Sequence, residues 1–190
     1  MKKMLKSKKG LSTVVTTLII LVVSVLLATV VTFYAINVTT NRTQQESLYM
    51  ANLHAWYCNY TGKPAWTEAA FVIINTGGRD AVLQSITVRS QPTTWTNVFY
   101  YTTSTMTITS LGPNPTTLAK DATPAITGNS SIVKLLATGS DLTLKSGYTA
   151  IIYISQPDSI GMNDIGTPVA VTVFTANAQW TQEVNVQAAP

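Results

Sequence analysis

Residues Leu11 to Val38, LSTVVTTLIILVVSVLLATVVTFYAINV, carry no charge, and the lysine-rich segment MKKMLKSKKG stands directly before them. As a helix rising ~1.5 Å per residue, the run spans roughly 40 Å, enough to cross a bilayer with some tilt. A secretory signal has an apolar region of only about 7–15 residues ahead of a small-x-small cleavage site. This run is far longer, and no Ala-x-Ala pattern closes it. Two arrangements remain: an anchor that stays in the membrane, or a segment cut on its charged side that keeps its apolar helix.

Charge sets the orientation. Lys2, Lys3, Lys6, Lys8 and Lys9 precede the run, and Arg42 is the nearest charge behind it. The excess of lysine holds the N-terminus on the cytoplasmic side and sends the chain after about Val38 outward. The whole chain has 12 basic and 8 acidic residues and a pI near 9.2. Five of those basic residues lie in the first ten, so the remainder is close to neutral. The basic pI belongs to the leader and argues for no nucleic-acid partner.

Lys8, Lys9 and Gly10, followed by Leu11, Ser12 and Thr13 and the long apolar run, resemble the class III leaders of archaeal type IV pilins and archaellins. The resemblance covers residues 1 to about 50. It implies that a membrane-embedded prepilin peptidase cuts between Gly10 and Leu11. It also implies that the uncut helix becomes the core of a homopolymeric helical filament, raised by an assembly platform in the membrane. Bacterial pilins carry a glutamate at the fifth mature position, where this chain has Val15. Archaeal members commonly lack that glutamate.

Lipid tails are as apolar as leucine, so a helix gains little hydrophobic energy by leaving the membrane for a bundle and must gain packing instead. Thr13, Thr17, Ser24, Ala28, Ala35 and Thr39 recur at steps of 4 and 7. On a 3.6-residue helix they make one stripe of small side chains along which backbones can approach closely. Residues 11–53 contain neither Gly nor Pro, which predicts one helix over residues 11–52, then a linker over 53–65 punctuated by Gly62 and Pro64.

From about Trp66 the period changes to 2. Ala69–Asn75, Ala81–Arg89, Trp95–Thr103, Met106–Leu111, Ser131–Ala137, Leu142–Leu144, Tyr148–Ser155, Pro168–Ala176 and Gln179–Gln187 read as strands between Gly, Pro and Asn clusters. The predicted class is α+β: a long N-terminal helix, then an antiparallel, Ig-like β-sandwich over residues 66–190 that folds without the helix.

Catalytic and metal chemistry find little to build on. His54 and Cys58 are the sole histidine and cysteine. Two ligands fall short of the four that a structural zinc needs, and one histidine gives a triad little to work with. No phosphate loop or dinucleotide fingerprint occurs, so no cofactor and no enzyme activity is expected. Asn37, Asn41, Asn59 and Asn129 head Asn-x-Ser/Thr sequons and are candidate glycosylation sites; Pro115 disqualifies Asn114. The expected role is a structural subunit of an archaeal type IV pilus-like filament on the cell surface, made as a membrane precursor. The alternatives are an archaellin, an uncleaved membrane-anchored binding domain and, least supported, an anchored hydrolase.

Overall fold

The computed structural model describes residues 5–43, 45–105, 108, 110–124, 126–127, 134–157 and 159–189. The chain divides into two units, Met1–Gln44 and Gln45–Pro190.

The first unit is helix α1, Leu5–Thr43. Several of its hydroxyls are bonded to its own backbone. Thr16, Ser24, Thr29 and Thr32 donate to the carbonyls of Ser12, Ile20, Val25 and Ala28 at 2.6–2.9 Å, and Thr17 donates to Val14 at 2.9 Å. Hydroxyls satisfied one turn back do not need water. The surface left is apolar all round, and the stretch Ser12–Asn41 is long and apolar enough to cross a membrane, with none of it buried in the protein. This is compatible with a membrane anchor or a signal sequence.

The second unit is built from strands β1 (Leu48–Cys58), β2 (Trp66–Asn75), β3 (Ala81–Val88), β4 (Gln91–Pro92), β5 (Val98–Thr103), β6 (Ser110–Leu111), β7 (Ile126–Thr127), β8 (Leu136–Ala137), β9 (Leu142–Leu144), β10 (Thr149–Ser155), β11 (Pro168–Thr175) and β12 (Gln179–Ala189). Ten of them form one sheet in the order β4-β3-β11-β12-β1-β2-β10-β5-β8, with β9 on β3; β6 and β7 pair separately.

The predicted helix over 11–52 stops at Thr43, and the predicted linker over 53–65 shrinks to the turn after Cys58, because Leu48–Cys58 is a strand. Its alternation is hidden by a bulge. Leu48 and Met50 face one core, the register shifts between Ala51 and His54 with Asn52 at φ 50°, and Leu53 and Ala55 then resume on that core. The one-residue insertion leaves apolar spacings of 2, 3 and 2, which in sequence read as helical.

The Ig-like sandwich is corrected as well. β12 is long enough to serve two partners: Pro168–Phe174 pair antiparallel with Gln179–Asn185, and Val186–Ala189 then run parallel to Ala55–Cys58 of β1. Backbone hydrogen bonding therefore passes unbroken from one half of the sheet to the other. The result is a mostly-strand curled sheet, a half-barrel, with one parallel junction.

The curl buries one core among both halves, including Phe71, Leu83, Ile86, Leu144, Ile152, Val171 and Val173. A second core lies on the opposite face of β1, β2, β5 and β10, where Trp56, Cys58, Trp66, Tyr153 and Phe99 meet Leu111, Leu118 and Leu135. β2 and β10 are consequently buried on both faces, which explains their unbroken apolar runs.

The chain enters this unit under close restraint. Thr175 Oγ1 and Asn177 Nδ2 donate to the Glu46 carboxylate at 2.7 Å each, and the amides of Thr76 and Gly77 donate to Ser47 O at 2.9 and 3.0 Å. A Cβ on Gly77 would lie 2.9 Å from Gln45 O and Ser47 N, so only glycine admits this approach.

A chain beginning at Gln45 is expected to give a soluble, β-rich monomer. One beginning at Trp66, the boundary read from sequence, loses β1 and with it the junction between the two sheet halves. It is expected to lack a cooperative thermal transition by circular dichroism; an equally cooperative melt for both would refute the central place of β1.

Candidate functional site

The two units present different chemistry. In the first, the backbone of Gly10 and Leu11 lies within α1. Thr13, Thr17, Ser24, Ala28, Ala35 and Thr39 all occur on α1 and are exposed. Ala28 and Thr32 share a shallow groove with Val25, Thr29, Phe33 and Ile36, a form suited to receive a side chain from an apposed helix. Asn37 and Asn41 are exposed on the same helix, with Asn37 Nδ2 donating to Phe33 O at 2.9 Å. Asn59 is exposed in the turn after β1, and Asn129 lies outside the described residues.

In the second unit, the structure rearranges the sequence's reading of His54 and Cys58. They sit on strand β1, not in the linker read over 53–65, and four strand residues span about 13 Å, too far to chelate one ion. Trp56 fills the space between: its ring stacks on His54 with centroids 5.2 Å apart and planes within 7°. Trp56 Nε1 donates to Gln187 Oε1 at 3.2 Å. Burial lowers the pKa of His54, opposed by a hydrogen bond to Gln187. Burial, then the neighbouring Glu68 charge, pushes the Cys58 thiol up to about 12, which makes it a poor nucleophile. Among the described residues, no group of three or more His, Cys, Asp or Glu converges to hold a metal.

A buried polar cluster surrounds Glu68, which sequence reasoning missed. Glu68 is 1% exposed on β2, opposite Trp56 of β1 and Ser155 of β10. Its carboxylate receives the backbone amide of Asn114 at 3.2 Å and the Asn114 Nδ2. Asn114 is itself 3% exposed. Tyr153 Oη donates to Gly112 O at 3.2 Å, and Lys63 Nζ donates to Pro115 O at 2.6 Å. Three side chains from three places in the sequence thus hold the segment Gly112–Pro115 over the second core. A lone carboxylate beside the apolar run Ala69–Ile74 was the available signal, but with the strand read as starting at Ala69 it fell outside.

Desolvation raises the Glu68 pKa to about 7, and the two Asn114 hydrogen bonds only partly oppose it. Burial, with Glu68 adding to it, also raises the Tyr153 phenol. At the far end of β3, Arg89 Nη1 meets Asp164 Oδ1 at 2.8 Å, and this bond holds the Asp164 carboxyl below its usual range.

No family model and no curated protein matches the chain. Among solved structures, a copper-bound PCuAC domain from PmoF2 aligns with 77% of this chain and 100% of that chain, at 14% identity and a TM-score of 0.30. Similarity at that level transfers neither fold nor activity.

The Glu68 environment predicts an inverted pH response. An acid whose folded pKa is raised binds protons more tightly when folded, so its contribution is complete below the unfolded value near 4.5 and is lost as pH rises through about 7. The full span is worth about 3 kcal/mol, or on the order of 10 °C in Tm for a domain of this size. His54, its pKa lowered, acts oppositely below its ordinary range. Thermal melts of the Gln45–Pro190 fragment should therefore show higher Tm at pH 5 than at pH 8, and Glu68→Gln should flatten that slope. A wild-type Tm rising from pH 5 to 8 would contradict the burial of an ionisable Glu68.

Proposed function

We propose that this chain is a structural subunit of an extracellular, archaeal type IV pilus-like filament, cut between Gly10 and Leu11 and polymerised through α1. The observation that carries the reading is α1 itself. Over Ser12–Asn41 it is long and apolar enough to cross a membrane. Its internally bonded hydroxyls suit it equally to lipid and to a bundle of its own copies, the two environments a filament subunit occupies in turn. The lysine-rich leader ending in Gly10 supplies the cleavage signal by resemblance. The Gln45–Pro190 unit, with its own two cores, supplies an outer module that folds before and after assembly. In this reading the β domains coat the filament and bear any glycans, with exposed Asn59 the best placed.

An anchored, uncleaved binding domain is the second reading, and it rests on the same helix. Mature N-terminal sequencing separates them. A start at Leu11 in material from the cell surface supports the filament; an intact leader supports the anchor. Gly10→Val should block cutting, because the peptidase needs an unhindered peptide at the membrane surface, and the precursor should accumulate in membranes with loss of surface filaments. Undiminished filaments in Gly10→Val cells would defeat the proposal.

Helix packing gives an independent test. Ala28→Leu fills the floor of the groove and should hold neighbouring helices apart, costing about 1–3 kcal/mol at each contact. Leu26→Met, outside the groove, should be tolerated. Dissociation temperatures of purified filaments measure the difference, and equal values for the two variants would remove the stripe from the interface.

A further inference from the structure

A cleft of about 50 Å³ opens in the β domain between the β3–β4 hairpin, with the segment that follows it, and the turn after β10. Its walls are fixed by hydrogen bonds. The Thr93 amide donates to Ile86 O at 2.9 Å and the Gln156 amide to Thr67 O at 2.8 Å, while Ser159 Oγ donates to Val88 O at 2.9 Å and ties one wall to the other. Val88, 1% exposed, and the buried Pro157 give the cleft an apolar lining. The carboxamides of Gln91, Asn97 and Gln156 line it as well, and none of the three is hydrogen-bonded to another described residue. Among the described residues no charged side chain lines the cleft; Arg89, next to Val88, turns its guanidinium onto Asp164 at 2.8 Å.

Gln156 adds a second observation. Its φ is 51°, in the left-handed region that glycine occupies freely, and it stands before Pro157, where a residue is held to extended backbone. Any side chain is costly to the fold at such a position. The one that stands there makes no compensating bond to the described residues and lines the cleft instead.

We propose that this cleft binds the edge of a neutral sugar ring, a hexopyranose unit at the end of a glycan, with Gln91, Asn97 and Gln156 as its hydrogen-bonding groups. Each carboxamide presents acceptor and donors without net charge, which matches neighbouring ring hydroxyls that donate and accept in turn. Val88 and Pro157 offer a surface to the C–H groups of the ring. An anion finds no cation among the described lining residues. An alkyl chain would displace water from three carboxamides without replacing its hydrogen bonds. The volume admits a hydroxyl or hydroxymethyl group and not a whole ring, so the rest of the glycan stays in solvent. The inference goes beyond the filament reading and does not depend on it.

Saturation-transfer difference NMR on the full chain, held in a zwitterionic detergent without sugar headgroups, tests it with methyl α-mannoside, methyl β-galactoside and methyl β-glucoside. At least one glycoside should receive saturation, with an affinity that salt leaves unchanged. Gln156→Gly should weaken that binding about fivefold to tenfold, the worth of one or two neutral hydrogen bonds, while its Tm holds or rises as the left-handed backbone relaxes. Gln91→Ala, at an exposed side chain, should weaken it by a similar factor. Absence of saturation in all three glycosides would overturn the proposal, as would wild-type binding by both variants. A lower Tm in Gln156→Gly would make that side chain a structural prop and overturn its assignment to the ligand. Binding that falls steeply with salt would mean recognition of charge and overturn the proposal equally.

Discussion

The double pairing of β1 holds the β domain together. Its antiparallel ladder with β2 and its parallel ladder with the end of β12 are what join the two halves of the sheet. Parallel pairing requires the chain to travel far between the two strands, and here almost the whole domain lies between Cys58 and Val186. The domain cannot close until its last strand returns to its first. The bulge at Asn52 belongs to the same device. It bends β1 and resets its phase, so that Leu48, Met50, Leu53 and Ala55 all face the core inside the curl while Trp56 and Cys58 face the second. Asn52 also donates from Nδ2 to Ile108 O at 3.3 Å, fastening the irregular point to the segment that covers the second core.

The two units obey opposite solvent rules. The β domain hides its apolar side chains within itself and carries few charges. Helix α1 exposes them: Leu18, Ile19, Leu21, Val25, Leu26 and Val30 are each more than half exposed. Burying such a side chain is worth roughly 1.5–3 kcal/mol, and the helix carries more than a dozen, so an apolar surround stabilises it strongly. The back-bonded threonines and serines complete this logic. They lower the helix's demand for water without adding bulk, which suits lipid and helix–helix contact alike.

Glu68 shows what a buried charge does when its partners are neutral. Asn114 supplies hydrogen bonds without a counter-charge, so desolvation prevails and the proton is held up to near neutrality. The same contacts position the Gly112–Pro115 segment, which has little regular structure and depends on side chains from the sheet for its placement. One group thereby couples loop order and acid tolerance.

Much of this was legible in the sequence where the pattern was local. The apolar helix followed from an uncharged run behind lysines, and strands such as Leu142–Leu144 and Thr149–Ser155 from uninterrupted apolar or alternating runs between turn residues. β1 was not legible, because a single bulge residue turned a period of 2 into spacings that mimic a helix, and neither Gly nor Pro marked the change. Nor was the curl, which depends on β12 changing partners between Asn185 and Val186, a matter of which strand lies nearby and not of what β12 itself contains. The Glu68 cluster joins residues 63, 68, 114 and 153, and no spacing rule connects them. Local chemistry, then, determined by itself that the chain has an apolar helix and a β-rich remainder. Only the tertiary structure decided where the helix ends, how the sheet closes and which polar groups meet, because those depend on contacts between segments far apart in the chain.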